Sequence, residues 1–230
     1  MYMQTVILTH GALGSKTDLD KLATALKKEN YTVFSFSFSG HGNTDFENDF
    51  GIEQFSLELE NFISQNKLVN PSVIGYSMGG YVALYLALKS PEKINKIITL
   101  GTKFNWSQEV VEKETKMLVP ETILEKVPAF AKSLEGKHGV NWKELLSRTS
   151  QTMRDISKNN YLNTESLKSI QNKILVGIGD KDQMVTLEET VSVYKALPNA
   201  NMFMMPNTKH PIEQLNTGVF TEIIKNFLGS

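Results

Sequence analysis

The feature that most constrains this chain is a hydrophobic period that switches, again and again, between two residues and about 3.6. Thr5 to Thr9 is a short β-branched apolar run, and after it Leu19, Leu22 and Leu26 recur at helical spacing. From Thr32 to Ser39, Phe34, Phe36 and Phe38 alternate with Ser35, Ser37 and Ser39. That period of two predicts a strand with one small, polar face on which a helix can pack closely. Ile52, Phe55, Leu59, Phe62 and Ile63 then mark an amphipathic helix. Pro71 to Tyr76 reads as a strand, with Tyr81, Leu84, Tyr85 and Leu88 on the helix behind it, and Lys96 to Leu100 as a further strand. Between about residues 105 and 170 the pattern changes: the segment is charged, broken by Pro120 and Pro128, and helical without an apolar strand. Lys173–Gly179 restores a strand, followed by a helix over Val185–Leu197, a strand over Asn201–Met205 and a last helix over Val219–Leu228. Strands joined through single helices must lie parallel, covered on both faces. The expected fold class is α/β: a mostly parallel sheet of about six strands with helices on both faces. The whole chain, 1–230, forms one domain in this reading, with a helical insertion at about 105–170.

Composition narrows the partners. The 24 basic and 25 acidic residues nearly cancel, so neither nucleic acid nor an anionic membrane surface is the expected partner. No apolar stretch approaches the roughly 20 residues that span a bilayer. The N-terminal residues Met1-Tyr2-Met3-Gln4-Thr5 lack a basic region and a small-residue cleavage site, so a cytoplasmic location is expected. The chain has no cysteine, which removes disulfides, thiolate metal sites and a cysteine nucleophile. Its four histidines are scattered and no HExxH motif occurs, so neither a metal nor a cofactor is expected.

Ligands of open parallel sheets sit where strands end at their carboxyl side. Here those exits carry His10-Gly11-Ala12, Gly40-His41-Gly42, Gly75-Tyr76-Ser77-Met78-Gly79, Gly179-Asp180-Lys181-Asp182 and His210. In the G-x-S-x-G pattern the glycines permit a sharp strand-to-helix turn that lifts a serine hydroxyl above the sheet, and Ser77 has the required strand before it and helix after it. A serine needs a base, and His210 is the histidine beyond the last strand, with its partners in the expected order. A carboxylate should fix the tautomer of that imidazole; spacing leaves both Asp180 and Asp182 open. For an oxyanion, the backbone N–H of Met78 is one donor, and the loop after the first strand supplies the second, from Ala12 in preference to Leu13. Leu13, Tyr76, Phe104, Trp106, Phe130 and Trp142 are the candidate substrate contacts, with cap core as the competing role of the aromatic residues. Only two arginines occur, Arg148 and Arg154, which disfavours a polycarboxylate substrate needing bidentate clamps.

Taken together, these exit motifs, running through Gly75-Tyr76-Ser77-Met78-Gly79-Gly80 to His210 in the order Ser, Asp, His, make the chain resemble the α/β-hydrolase fold serine hydrolases, of the esterase and monoacylglycerol-lipase-like branch. The resemblance implies that the acid is the last residue of the G-x-x-D turn, Asp182, and that residues 105–170 form the cap shaping an acyl pocket. It implies a sheet trimmed by two strands at its start relative to most of the family. It further implies cleavage of a small-molecule carboxylic ester with a small or apolar acyl group through an acyl-enzyme. Branches of the fold with the same exit motifs carry other reactions, namely C–C bond hydrolysis, perhydrolysis or a menaquinone-pathway lyase step, and some members are small-molecule receptors.

Overall fold

The computed structural model describes residues 4–229. Six strands form one sheet: β1 (Thr5–Thr9), β2 (Thr32–Ser35), β3 (Ser72–Tyr76), β4 (Lys96–Leu100), β5 (Lys173–Gly179) and β6 (Ala200–Met205). All pair in parallel in the order β2-β1-β3-β4-β5-β6. The order reverses between β1 and β3, so the crevice at the sheet's carboxyl edge opens beside those two strands.

Alternating strand residues feed two separate cores. Ile7, Val73, Ile97 and Ile174 point to one face, where α2 (Ile52–Gln65), α3 (Met78–Lys89) and α9 (Leu187–Ala196) cover them. Val6, Leu8, Ile74, Ile98 and Leu175 point to the other, under α1 (Asp20–Lys28) and α10 (Thr217–Gly229). Because each strand residue meets a helix on one face or the other, slipping a strand by one residue would exchange its two sets of contacts. Helix α3 lies deepest, with Tyr81 to Ala87 all buried, which is why it is apolar all round.

The expected strand over Thr32–Ser39 is half that length. The β1 ladder pairs with Thr32 to Ser35 and then β1 ends at Thr9. Beyond that point a side chain replaces the missing strand: the Phe38 N–H donates to His10 Nε2 at 3.1 Å. The aromatic half of the alternation serves packing instead, with Phe36 stacked on Phe62 at 4.7 Å and Phe38 fully buried.

Between β4 and β5 the chain forms five helices: α4 (Gln108–Lys116), α5 (Pro120–Lys126), α6 (Pro128–His138), α7 (Trp142–Asn159) and α8 (Thr164–Ser169). Both prolines predicted as breaks sit at the first position of a helix, α5 and α6, where no N–H is needed. Ile123, Ala131, Leu134, Trp142 and Leu146 form a small core of their own there. No helix among the described residues is long and apolar enough to cross a membrane.

Candidate active site

The serine elbow is set by close backbone approach. A β-carbon on Gly75 would lie 2.4 Å from Gly80 Cα, and one on Gly79 would lie 2.4 Å from the Thr9 carbonyl. Neither position admits a side chain, so β3 and α3 can meet at this sharp angle only with glycine. Between them Ser77 adopts φ 51°, ψ −119°, a region that costs a residue with a β-carbon on the order of 1–3 kcal/mol. The surroundings hold it there: its N–H donates to the Leu100 carbonyl at 2.9 Å and its carbonyl accepts from Thr102 Oγ1 at 2.9 Å.

Gly11 brings the next loop up to this elbow, because a β-carbon there would sit 2.8 Å from the Tyr76 ring and 3.1 Å from Ser77 Cβ. Ala12 and Leu13 follow directly and line the same cavity as Ser77 and Met78. A hydrogen bond from Gly14 N–H to the Gly11 carbonyl, at 3.0 Å, closes this turn.

The loop after β6 carries His210. Its Nδ1 donates to Asp182 Oδ2 at 2.8 Å, and Asp182 Oδ1 accepts from the N–H groups of Met184 and Val185 at 2.8 and 2.9 Å. Burial pushes the Asp182 carboxyl up; the hydrogen bond and charge of His210, with the two backbone donors, outweigh it and hold the group below the usual carboxylate range. Asp182 is therefore ionised where the imidazole needs a counter-charge. Asp180, the alternative acid, turns away. It accepts from the Thr208 N–H at 3.0 Å, while the Lys181 N–H donates to the Thr208 carbonyl, so this turn pins the loop that presents His210. Tyr76 fixes the other side, its hydroxyl donating to the His210 carbonyl at 2.7 Å. Burial pushes the Tyr76 phenol up and keeps it a donor.

Ser77, Met78, Ala12 and His210 all open onto one cavity of about 380 Å³. Its walls are mainly apolar and come from both the sheet edge and the intervening helices, including Leu13, Tyr76, Trp106, Phe130 and Met153. Phe104 and Trp142 lie outside it: Phe104 packs toward Tyr81 at 6.3 Å, and Trp142 is buried within the helical segment. Several features around the site had no sequence signal strong enough to single them out. Lys103 and the buried Glu114 of α4 form an ion pair at 3.6 Å in the wall. Beside Met78, three further methionines, Met117, Met153 and Met184, line the cavity. Ile156 and Thr152 bring in α7. Gly101, at φ 61°, lies so close that a β-carbon would stand 3.3 Å from Asp182 Oδ2 and 3.4 Å from His210 Nδ1. A glycine directly after a central strand is the only hint of the last, and it resembles any other loop glycine.

An imidazole whose Nδ1–H is held by an ionised carboxylate, on a cavity that a strained serine also lines, can accept a hydroxyl proton through Nε2. A parallel sheet with a serine elbow at its carboxyl edge defines the α/β hydrolase class of proteins. The chain belongs to that family: the family described as alpha/beta hydrolase fold matches residues 4–133. The matched span includes Ser77 and the loop after β1; Asp182 and His210 lie beyond it. Over nearly its whole length the chain is similar to the serine hydrolase BPHL of Mus musculus, at 25% identity across 97% of this chain and 78% of that protein. It is similar to ethanol acetyltransferase 1 of Hanseniaspora uvarum at 35% identity, a match covering 38% of this chain and only 27% of that relative's length. The sn-1-specific diacylglycerol lipase ABHD11 of Mus musculus matches at 29% identity over 43% of this chain and 32% of its own length. Among solved structures, the enol-lactonase from Burkholderia xenovorans LB400 superposes with a TM-score of 0.81 at 16% identity, covering 100% of this chain and 93% of that one.

Proposed function

We propose that the protein is a serine hydrolase of carboxylic esters with small or apolar acyl groups, and that residues 105–170 act as the cap of a single α/β-hydrolase domain. Ser77 Oγ attacks the ester carbonyl while His210 Nε2 takes its proton. The resulting oxyanion accepts hydrogen bonds from the N–H groups of Ala12 and Met78. His210 returns the proton to the leaving alcohol as the C–O bond breaks. Water then repeats the sequence on the acyl-enzyme and releases the acid. Asp182 keeps the imidazole in the Nδ1–H tautomer and stabilises the imidazolium.

The observation that carries this reading is the His210–Asp182 pair at 2.8 Å, with the second Asp182 oxygen held by two backbone donors, at a cavity lined by Ser77. The mainly apolar wall favours an apolar acyl chain, and the internal Lys103–Glu114 pair leaves it without a net charge to attract an ionised one. The likeness to the ethanol acetyltransferase supports a second acceptor, an alcohol in place of water, on the same acyl-enzyme. Steady-state hydrolysis of p-nitrophenyl esters from acetate to octanoate tests the reading. Turnover should fall by at least about 10⁴-fold in Ser77→Ala, and ethyl ester should form when ethanol is added if the second acceptor operates. Undiminished turnover in Ser77→Ala would sink the proposal.

A further inference from the structure

Three of the four histidines lie away from Asp182, buried together behind the loop that follows β1. The His10 and His41 rings are 5.0 Å apart, and His41 and His138 are 6.0 Å apart. His10 and His41 belong to the loops after β1 and β2. His138 comes from the last turn of α6, and both of its ring nitrogens are engaged by backbone of those loops. Nδ1 accepts from the Gly42 N–H at 2.9 Å, and Nε2 donates to the Leu13 carbonyl at 2.9 Å. The two bonds fix one neutral tautomer, with its proton on Nε2.

Leu13 is an unusual residue to find at the end of that bond. It is the third residue of the Gly11–Gly14 turn and has φ 57°, a position ordinarily taken by glycine or asparagine. A leucine stays there only if something outside the turn holds its peptide groups in place. His138 is positioned to do that. The preceding residue in the same turn is Ala12, whose N–H is the second oxyanion donor in the function proposed above. The other end of the loop is held by His10, whose Nδ1 donates to the Gly11 carbonyl at 2.8 Å.

We infer that His138 is a positioning residue for acyl transfer: through the Leu13 carbonyl it fixes the Ala12 N–H, so the oxyanion site is complete only while α6 is docked on the loop after β1. The inference rests on the reading of Ser77 and Ala12 given under Proposed function. Docking of α6 has a second contact, Lys137 Nζ to Asp18 at 2.7 Å, which does not involve the turn carbonyls. The groups around His138 are His10 and His41 on one side, with Lys137 and Asp18 on the other. Burial lowers its basicity, which keeps the Nδ1 acceptor free of a proton near neutral pH.

The geometry makes the two isosteric amides differ. His138→Gln retains a donor near the Nε2 position, toward the Leu13 carbonyl, whereas His138→Asn retains only an acceptor near Nδ1, toward Gly42. With p-nitrophenyl acetate, His138→Ala and His138→Asn should lose about 10- to 100-fold in kcat with KM within about threefold of wild type, and His138→Gln should recover to within about threefold in kcat. Lys137→Ala should stay within about threefold throughout. Fluorophosphonate labelling of Ser77 should slow in the same order as kcat. If His138→Ala fails to fold, the Gln–Asn pair carries the comparison. Equal kcat for Gln and Asn, an effect confined to KM, or a Lys137→Ala loss as large as that of His138→Ala would overturn the inference while labelled Ser77 leaves the hydrolase reading standing. Absence of both labelling and turnover in wild type would overturn the two together.

Discussion

His210 and the trio of His10, His41 and His138 put the same side chain to opposite uses. His210 has an ionised carboxylate on Nδ1 and opens onto the cavity. In the trio the imidazoles bond to peptide groups of two loops: His10 spans Gly11 and Phe38, His41 donates to Ser39, and His138, from α6, spans Gly42 and Leu13. Burial lowers the basicity of all three, and the His10 pKa falls to about 4. A histidine beside a carboxylate can gain a proton during a reaction at little cost. A histidine caught between a peptide donor and a peptide acceptor loses a hydrogen bond on protonation, so it works as a rigid strut.

The difference can be broken most severely at the reactive pair. Asp182→Asn removes the charge and offers the imidazole an amide that favours the wrong tautomer; kcat should fall by about 10³- to 10⁴-fold with the fold intact, as followed by ester hydrolysis and circular dichroism. Retention of more than a tenth of the activity would remove Asp182 from its role. The struts should instead speak through stability. A buried histidine whose folded pKa is depressed binds its proton more readily when unfolded, so its stabilising contribution is complete above about pH 6.5 and is lost as pH falls toward the folded value. For His10 that window runs from 6.5 to about 4 and corresponds to about 3 kcal/mol, measurable as a fall in urea midpoint across that range. A flat midpoint between pH 6.5 and 4 would contradict neutral burial. Asp180 offers the smallest and most local change. Asp180→Ala removes the acceptor for the Thr208 N–H and loosens the loop that presents His210, so kcat should fall by about three- to tenfold, far less than for Asp182→Asn. Equal losses at the two aspartates would erase the distinction between acid and anchor.

Much of the fold was legible because its strands are short, apolar and separated by helices of clear period. The helical segment between β4 and β5 was legible from the loss of strand pattern there, and Pro120 and Pro128 marked helix starts within it. The Thr32–Ser39 segment misled because an alternating aromatic face looks the same whether its backbone pairs with a strand or its rings stack on a helix. At the site, the motif made Ser77 conspicuous, since glycine density at an elbow is a local requirement. His210 was distinguishable by its place after the last strand. Phe104 and Trp142 were not separable from Trp106 and Phe130, because an aromatic side chain near a cap suits a cap core and a cavity wall equally. Gly101 and His138 drew no site role from the sequence, each owing its place to a partner distant in sequence: His138 meets Leu13 across 125 positions.

By itself the sequence determined which residues end five of the six strands, and with them the reactive types that crowd one edge of a parallel sheet, because strand and helix periods are local properties. Only the tertiary structure shows which of Asp180 and Asp182, the latter favoured by the resemblance, meets the His210 imidazole. The turn after β5 aims one carboxylate at the imidazole and the other at the backbone of the next loop, and a separation of two residues carries no information about that direction. Likewise it took the packing of α6 against two sheet loops to turn a histidine in a charged helical stretch into a bond on the Leu13 carbonyl.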